Sequence, residues 1–342
     1  MKILIKASNL GTGFIFLSLL LNSSMISCKG QPSFGTGHLQ LVKTILLQDV
    51  KGRIDHLDVN LKDQVIYVAA LGNNSLEAVD LNSGKTLHSI KGLSEPQGIG
   101  YVPQTKELLV ANGGTGDCYF YNTLTFEKTG ALQLHSDADD VRYDSVAKKL
   151  YVGYGEGGIA VIDAVTHKQL ADIKLPAHPE SFQIDPALNR LYVNLPDAKM
   201  VAEVDLISSA IVNKWERTEP AANFPMALDS IHHQVFVGYR NPARLIVYDG
   251  KTGKEISISN MTGDADDLYY DYKTNRILVS GGSGSIDIFQ RQPGHQFVSI
   301  ASIPTRSGAR TSLFIPQLNL FVLAERAVSG KPADLLIYKF IE

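Results

Sequence analysis

A large apolar residue followed by valine recurs seven times along the chain, as Tyr67-Val68, Leu109-Val110, Tyr151-Val152, Tyr192-Val193, Phe236-Val237, Leu278-Val279 and Phe321-Val322. Successive copies are 42, 42, 41, 44, 42 and 43 residues apart. Around each copy the same order returns: an alternating apolar strand, a polar turn, the marker strand, a Gly- or Asn-rich loop, a third strand, and a turn such as Asn82-Ser83-Gly84-Lys85 before a fourth. Four strands in about 42 residues is the content of one propeller blade and leaves no room for a crossover helix. A helical solenoid of this period needs apolar residues at i, i+3, i+4 and i+7. Segments such as Leu57-Asp58-Val59 and Ser285-Ile286-Asp287-Ile288 instead alternate at period two. The expected fold is all-β, a single seven-bladed β-propeller over residues 39–342.

The seventh unit ends with its third strand, since the chain stops two residues after Phe340. Residues 39–47 (LQLVKTILL) have strand character and precede the first unit. This N-terminal strand is expected to close the last blade from outside, which satisfies an open sheet edge and ties the termini together.

Residues 1–28 read as an export segment, with Lys2 and Lys6 ahead of a short apolar stretch, Gly13 to Leu21 (GFIFLSLLL). That stretch is far shorter than the roughly 20 residues a membrane-spanning helix needs. It ends in Met25-Ile26-Ser27-Cys28, which resembles the bacterial lipobox; the resemblance implies that Cys28 is lipidated and becomes the new N-terminus. Residues 29–38 then form a tether. The expected product is an exported lipoprotein, facing the periplasm or the cell surface, in the outer membrane. The other cysteine, Cys118, lies in the apolar-aromatic run Cys118-Tyr119-Phe120-Tyr121 and is expected to be a small buried hydrophobe without thiol chemistry. With 32 Lys plus Arg against 35 Asp plus Glu, the chain lacks the basic excess of a nucleic-acid binder. No G-x-S-x-G, H-E-x-x-H or G-x-x-x-x-G-K-[ST] motif is present, so serine-hydrolase, zinc-protease and nucleotide-binding functions lack their usual local signals.

The Tyr-Val-type markers of seven tandem units, combined with the Asp-x-x-x-Gly-Lys turns at 80–85 and 249–254, resemble the bacterial YVTN-repeat β-propeller family over residues 39–342. The resemblance implies the propeller fold. Its functional implication is broad, because that family includes surface-layer, binding and exported proteins, and propellers host many unrelated activities.

Aligning the units on their markers places one residue of each at the mouth of the innermost strand: Asp55, Gln97, Asp139, Glu180, Phe224, Asp266 and Thr311. The next position reads His56, Gly98, Asp140, Ser181, Pro225, Asp267 and Ser312. The motif Asp-Ala-Asp-Asp occurs twice, at 137–140 and 264–267. On the same face the second strands end in Asn112, Tyr154, Glu156, Asn194, Tyr239, Arg240, Glu325 and Arg326, and Arg310 lies beside the acidic ring.

Three readings of this ring are open. The carboxylates can cap turns or accept N–H bonds from a neighbouring blade. They can line a binding pocket for a cationic, polyhydroxylated or peptide ligand, with Tyr154 and Tyr239 as stacking walls. They can hold a divalent cation such as Ca²⁺, which takes oxygen ligands. The third resembles the gluconolactonase-like propellers, and that resemblance implies Glu180, Asn112, Asn194 and Asp266 as ligands, with His56 as a candidate general base. The leading expectation is recognition of a small molecule, glycan fragment or protein partner by a monomer held at a membrane. A metal-dependent lactonase or lyase, and a scaffold without ligand, remain the alternatives.

Overall fold

A computed structural model describes residues 35–36 and 38–341. The expected export segment, Cys28 and most of the tether lie outside the described residues. Among the described residues, no helix is long and apolar enough to cross a membrane.

Six sheets of four antiparallel strands and one of five follow one another along the chain, forming a seven-bladed β-propeller. The first blade is Leu57–Asn60, Val65–Ala70, Ser75–Asp80 and Thr86–Lys91, from the innermost strand to the outermost. Every residue of Val65–Ala70 is buried, whereas Thr86–Lys91 is largely exposed. A strand covered on both faces reads as a continuous apolar run, which is why the markers stand in the second strands.

Most of the turns that reverse a blade have a polar cap. Between first and second strands, the side-chain oxygens of Asn60, Asp144, Asp185, Asp229 and Asp271 accept N–H bonds from the residue two positions on. Between third and fourth strands, Asn122, Asp163, Asp205 and Asp249 do the same, and Asp80 accepts from Ser83. These Asx turns are the physical reason for the recurring Asp and Asn of the repeat.

Seven apolar clusters fill the seams between blades. Tyr67 packs with Leu108 between the first and second, Leu109 with Leu150 between the second and third, and so on around the ring. The cluster of Val68, Ile66, Val322 and Leu335 joins the seventh blade to the first, so the ring is closed.

The closing strand is Leu39–Leu47, which pairs antiparallel with Ala333–Phe340, Leu39 opposite Phe340 and Leu47 opposite Ala333. Leu39, Ile45 and Leu47 are buried against the sixth, seventh and first blades. Within the stretch expected to be tether, Gly35–Thr36 instead adds a short strand to this edge, pairing with Leu39 and Gln40.

The seventh marker is one residue out of register. In the other six blades the large marker residue takes the third position of its strand and faces the next blade. In Leu320–Glu325 that position belongs to Val322, which packs on the first blade, while Phe321 turns back to the sixth. A one-residue slip moves every side chain to the other face. The backbone agrees: the Thr311 carbonyl accepts from Ala324 as His56 accepts from Ala69 and Asp140 from Gly153. Arg310, and not Thr311, is therefore the seventh mouth residue, with Thr311 in place of Ser312 at the second position.

Candidate functional site

The corrected mouth ring is Asp55, Gln97, Asp139, Glu180, Phe224, Asp266 and Arg310. Asp55, Asp139, Glu180 and Arg310 stand two residues ahead of their innermost strands, and Gln97, Phe224 and Asp266 lie in the first half of theirs, so the closed ring brings all seven to one end of the channel. A small mouth cavity of about 30 Å³ is lined by Asp55, Asp139, Glu180, Phe224, Asp266 and Arg53, among others. Beneath it lies a chamber of about 410 Å³ whose wall includes Asp58, Arg142, Gln183, Asp267 and Tyr269. His56, Asp140, Ser181 and Asp266 line both spaces and form the neck between them.

Arginines neutralise much of the mouth. Arg53 binds Asp55 at 2.7 Å. Arg310 Nε lies 2.8 Å from Asp266 Oδ2, an ion pair without hydrogen-bond alignment, and Arg310 Nη1 donates to Asp264 at 2.8 Å. Arg240 donates to Asp266 and stacks on Phe224, 3.6 Å from the ring centre. Arg142 pairs with Asp140 in the neck.

His56 Nε2 is 3.6 Å from Asp139 Oδ1 and 4.0 Å from Asp55 Oδ1. Burial alone would lower its pKa, but contact with Asp139 and the charges of Asp140 and Asp55 hold it well above the ordinary value. The raised value favours the protonated ring, whose positive charge balances the carboxylates around it. Burial likewise pushes Asp139 up, but His56 outweighs it and keeps that carboxyl below its usual value.

Other carboxyls go the opposite way. Burial raises Asp55 to about 6, offset by His56 and reinforced by Asp139. Burial raises Asp267 to about 7 and Asp58 to about 6. Glu180 is raised furthest in this cluster, to about 8, by burial and then by the charges of Asp139 and Asp266. Among the described residues its carboxyl has no hydrogen bond or ion pair.

Several acids also hold the fold. Asp58 accepts the Tyr101 N–H, Asp140 the Phe182 N–H and Asp267 the Ser312 N–H, each bond joining one blade to the next. Leaving such a buried N–H unpaired costs about 1–3 kcal/mol. Gln97 donates to Asp137 at 3.1 Å, committing its amide to a neighbouring loop.

Four expected residues do not serve the site. Tyr154 is buried and its hydroxyl donates to Asp172, and Tyr239 is buried with its hydroxyl on Tyr248, so neither ring is a stacking wall. Their strands turn these side chains into the seams on either side. Asn112 and Asn194 are fully buried; their amide oxygens accept from Ser94 N–H and Asn223 Nδ2. The set of Glu180, Asn112, Asn194 and Asp266 therefore does not assemble as ligands, and among the described residues no group of three or more His, Cys, Asp or Glu is placed to hold a metal ion.

Asp58, Arg142, Gln183 and Tyr269 went unread in the sequence. Each stands three residues after its blade's mouth position, and extending the same alignment inward by one strand repeat would have found them. Cys118, fully buried, has its thiol pushed up to about 12 by burial.

No family model and no curated protein matches the chain. Among solved structures, one similar chain belongs to the crystal structure of the mitotic checkpoint complex, at TM-score 0.74 and 14% identity, covering 96% of this chain and 99% of that one. Another belongs to Kuenenia stuttgartiensis hydrazine synthase, at TM-score 0.73 and 13% identity, covering 86% of this chain and 96% of that one. At this identity the likeness concerns the propeller fold alone.

Proposed function

We propose that this propeller binds a small cationic ligand, with an ammonium group seated at the channel mouth against Glu180 and Asp139. A β-propeller is in general a ligand- or protein-binding scaffold, so the reading rests on the site. Its main support is Glu180: a carboxyl without a hydrogen bond or ion pair among the described residues, raised to about 8 by burial first and then by the charges of Asp139 and Asp266. The mouth cavity of about 30 Å³ suits one ammonium-sized group. Of its wall acids, Asp55, Asp139, Asp140 and Asp266 each face Arg53, His56, Arg142, Arg240 or Arg310, and among the described residues Glu180 alone pairs with no cation. A bound cation beside Glu180 favours its ionised form.

Calorimetry with cadaverine and with sorbitol tests this reading against a polyhydroxylated ligand. Heat from the diamine and none from the polyol is expected; binding of sorbitol alone would overturn it.

We also propose that the protein is exported and anchored through lipid on Cys28, supported by the sequence of residues 1–28. Metabolic labelling with palmitate should mark the wild type and not Cys28→Ser. Equal labelling of both rules the anchor out.

A further inference from the structure

We propose that the pocket bounded by Arg53, Arg310 and Arg326 is a carboxylate subsite for the same ligand, which is then amphoteric, of the class of a free amino acid or peptide end. This rests on the cation reading above and adds the second half of the ligand.

The pocket has a volume of about 90 Å³, enough for a carboxylate, and its wall includes Asp264 and Gly308. It adjoins the mouth: Arg53 lines both spaces, and Arg310 is paired with Asp266, which lines the mouth. Gly308 has φ +85°, and a Cβ there would stand 2.6–2.8 Å from the Arg326 guanidinium atoms. The bare glycine therefore lets that guanidinium lie against the backbone.

The charges define the ligand. Arg53 is occupied by Asp55, and Arg310 by Asp264 and Asp266. The Arg326 side chain is exposed and makes no hydrogen bond or ion pair among the described residues. One free guanidinium matches one singly charged anion, and its planar fork suits the two oxygens of a carboxylate. A dianionic phosphate would set an extra negative charge against Asp264, whose side chain is 45% exposed in the same pocket.

Lysine and cadaverine differ only by the carboxylate, so calorimetry of both on the full chain isolates the subsite. Lysine is expected to bind about tenfold tighter than cadaverine, the size of a charge-assisted hydrogen bond. In Arg326→Ala and Arg326→Gln that preference should vanish while cadaverine affinity stays as in the wild type. Equal binding of the two compounds to the wild type, or a lysine preference that survives in both variants, overturns the subsite and leaves the cation reading standing. If neither compound binds at millimolar concentration, the cation reading itself falls and takes the subsite with it.

Discussion

A chain lacking residues 39–47 is expected to lose its cooperative thermal transition, or to melt far below the intact protein in a circular dichroism scan. Leu39, Ile45 and Leu47 are at most 2% exposed. Fully burying an aliphatic side chain contributes about 1.5–3 kcal/mol, so these three give roughly 5–9 kcal/mol. That is comparable with the whole stability of an ordinary domain, about 5–15 kcal/mol. The deletion also exposes the edge of Ala333–Phe340, a template for association with other chains. Unchanged melting would show that the ring does not depend on this strand.

Substituting Glu180 by Gln should raise stability and weaken ligand binding together. The ordinary glutamate value is 4.5 and the folded value about 8, so below 4.5 the group is neutral in both states and costs nothing. As pH rises from 4.5 through 8, the unfolded chain gains a charge that the folded site resists, and stability falls across that window. The amide carries no such charge, so Glu180→Gln should melt higher above pH 8, by a few kcal/mol at most at roughly 1.4 kcal/mol per pKa unit. The wild type should bind cadaverine more tightly as pH rises toward 8, because ionised Glu180 then meets the ammonium. The variant should lack that rise and bind about tenfold more weakly, the loss of one charge-assisted hydrogen bond. A group that costs stability when unliganded is characteristic of a functional site. Melting and affinity both indifferent to the change would remove Glu180 from any role.

Much of the fold was legible because repetition averages out local noise. Seven copies of a buried second strand and ten recurring Asx turns state the same geometry many times. The closing strand was legible as well, since its apolar residues had no other blade to serve. The seventh marker was misread because Phe321-Val322 imitates the motif one position early; only the seams on either side reveal which of the two faces the first blade. That slip hid Arg310 within the ring and made the mouth look more acidic than it is.

Tyr154, Tyr239, Asn112 and Asn194 failed as site residues for a related reason. Their place at strand ends follows from sequence, but whether such a side chain turns into a seam or out to solvent depends on its neighbour in the adjacent blade. The sequence by itself determined the number of blades, their strand order and the end of the channel where acids gather, because period and alternation are local properties of the chain. The ion pairs that cancel most of that charge, and the absence of ion pairs at Glu180 and Arg326 among the described residues, were decided by tertiary structure alone, because each depends on distances between residues far apart in the sequence.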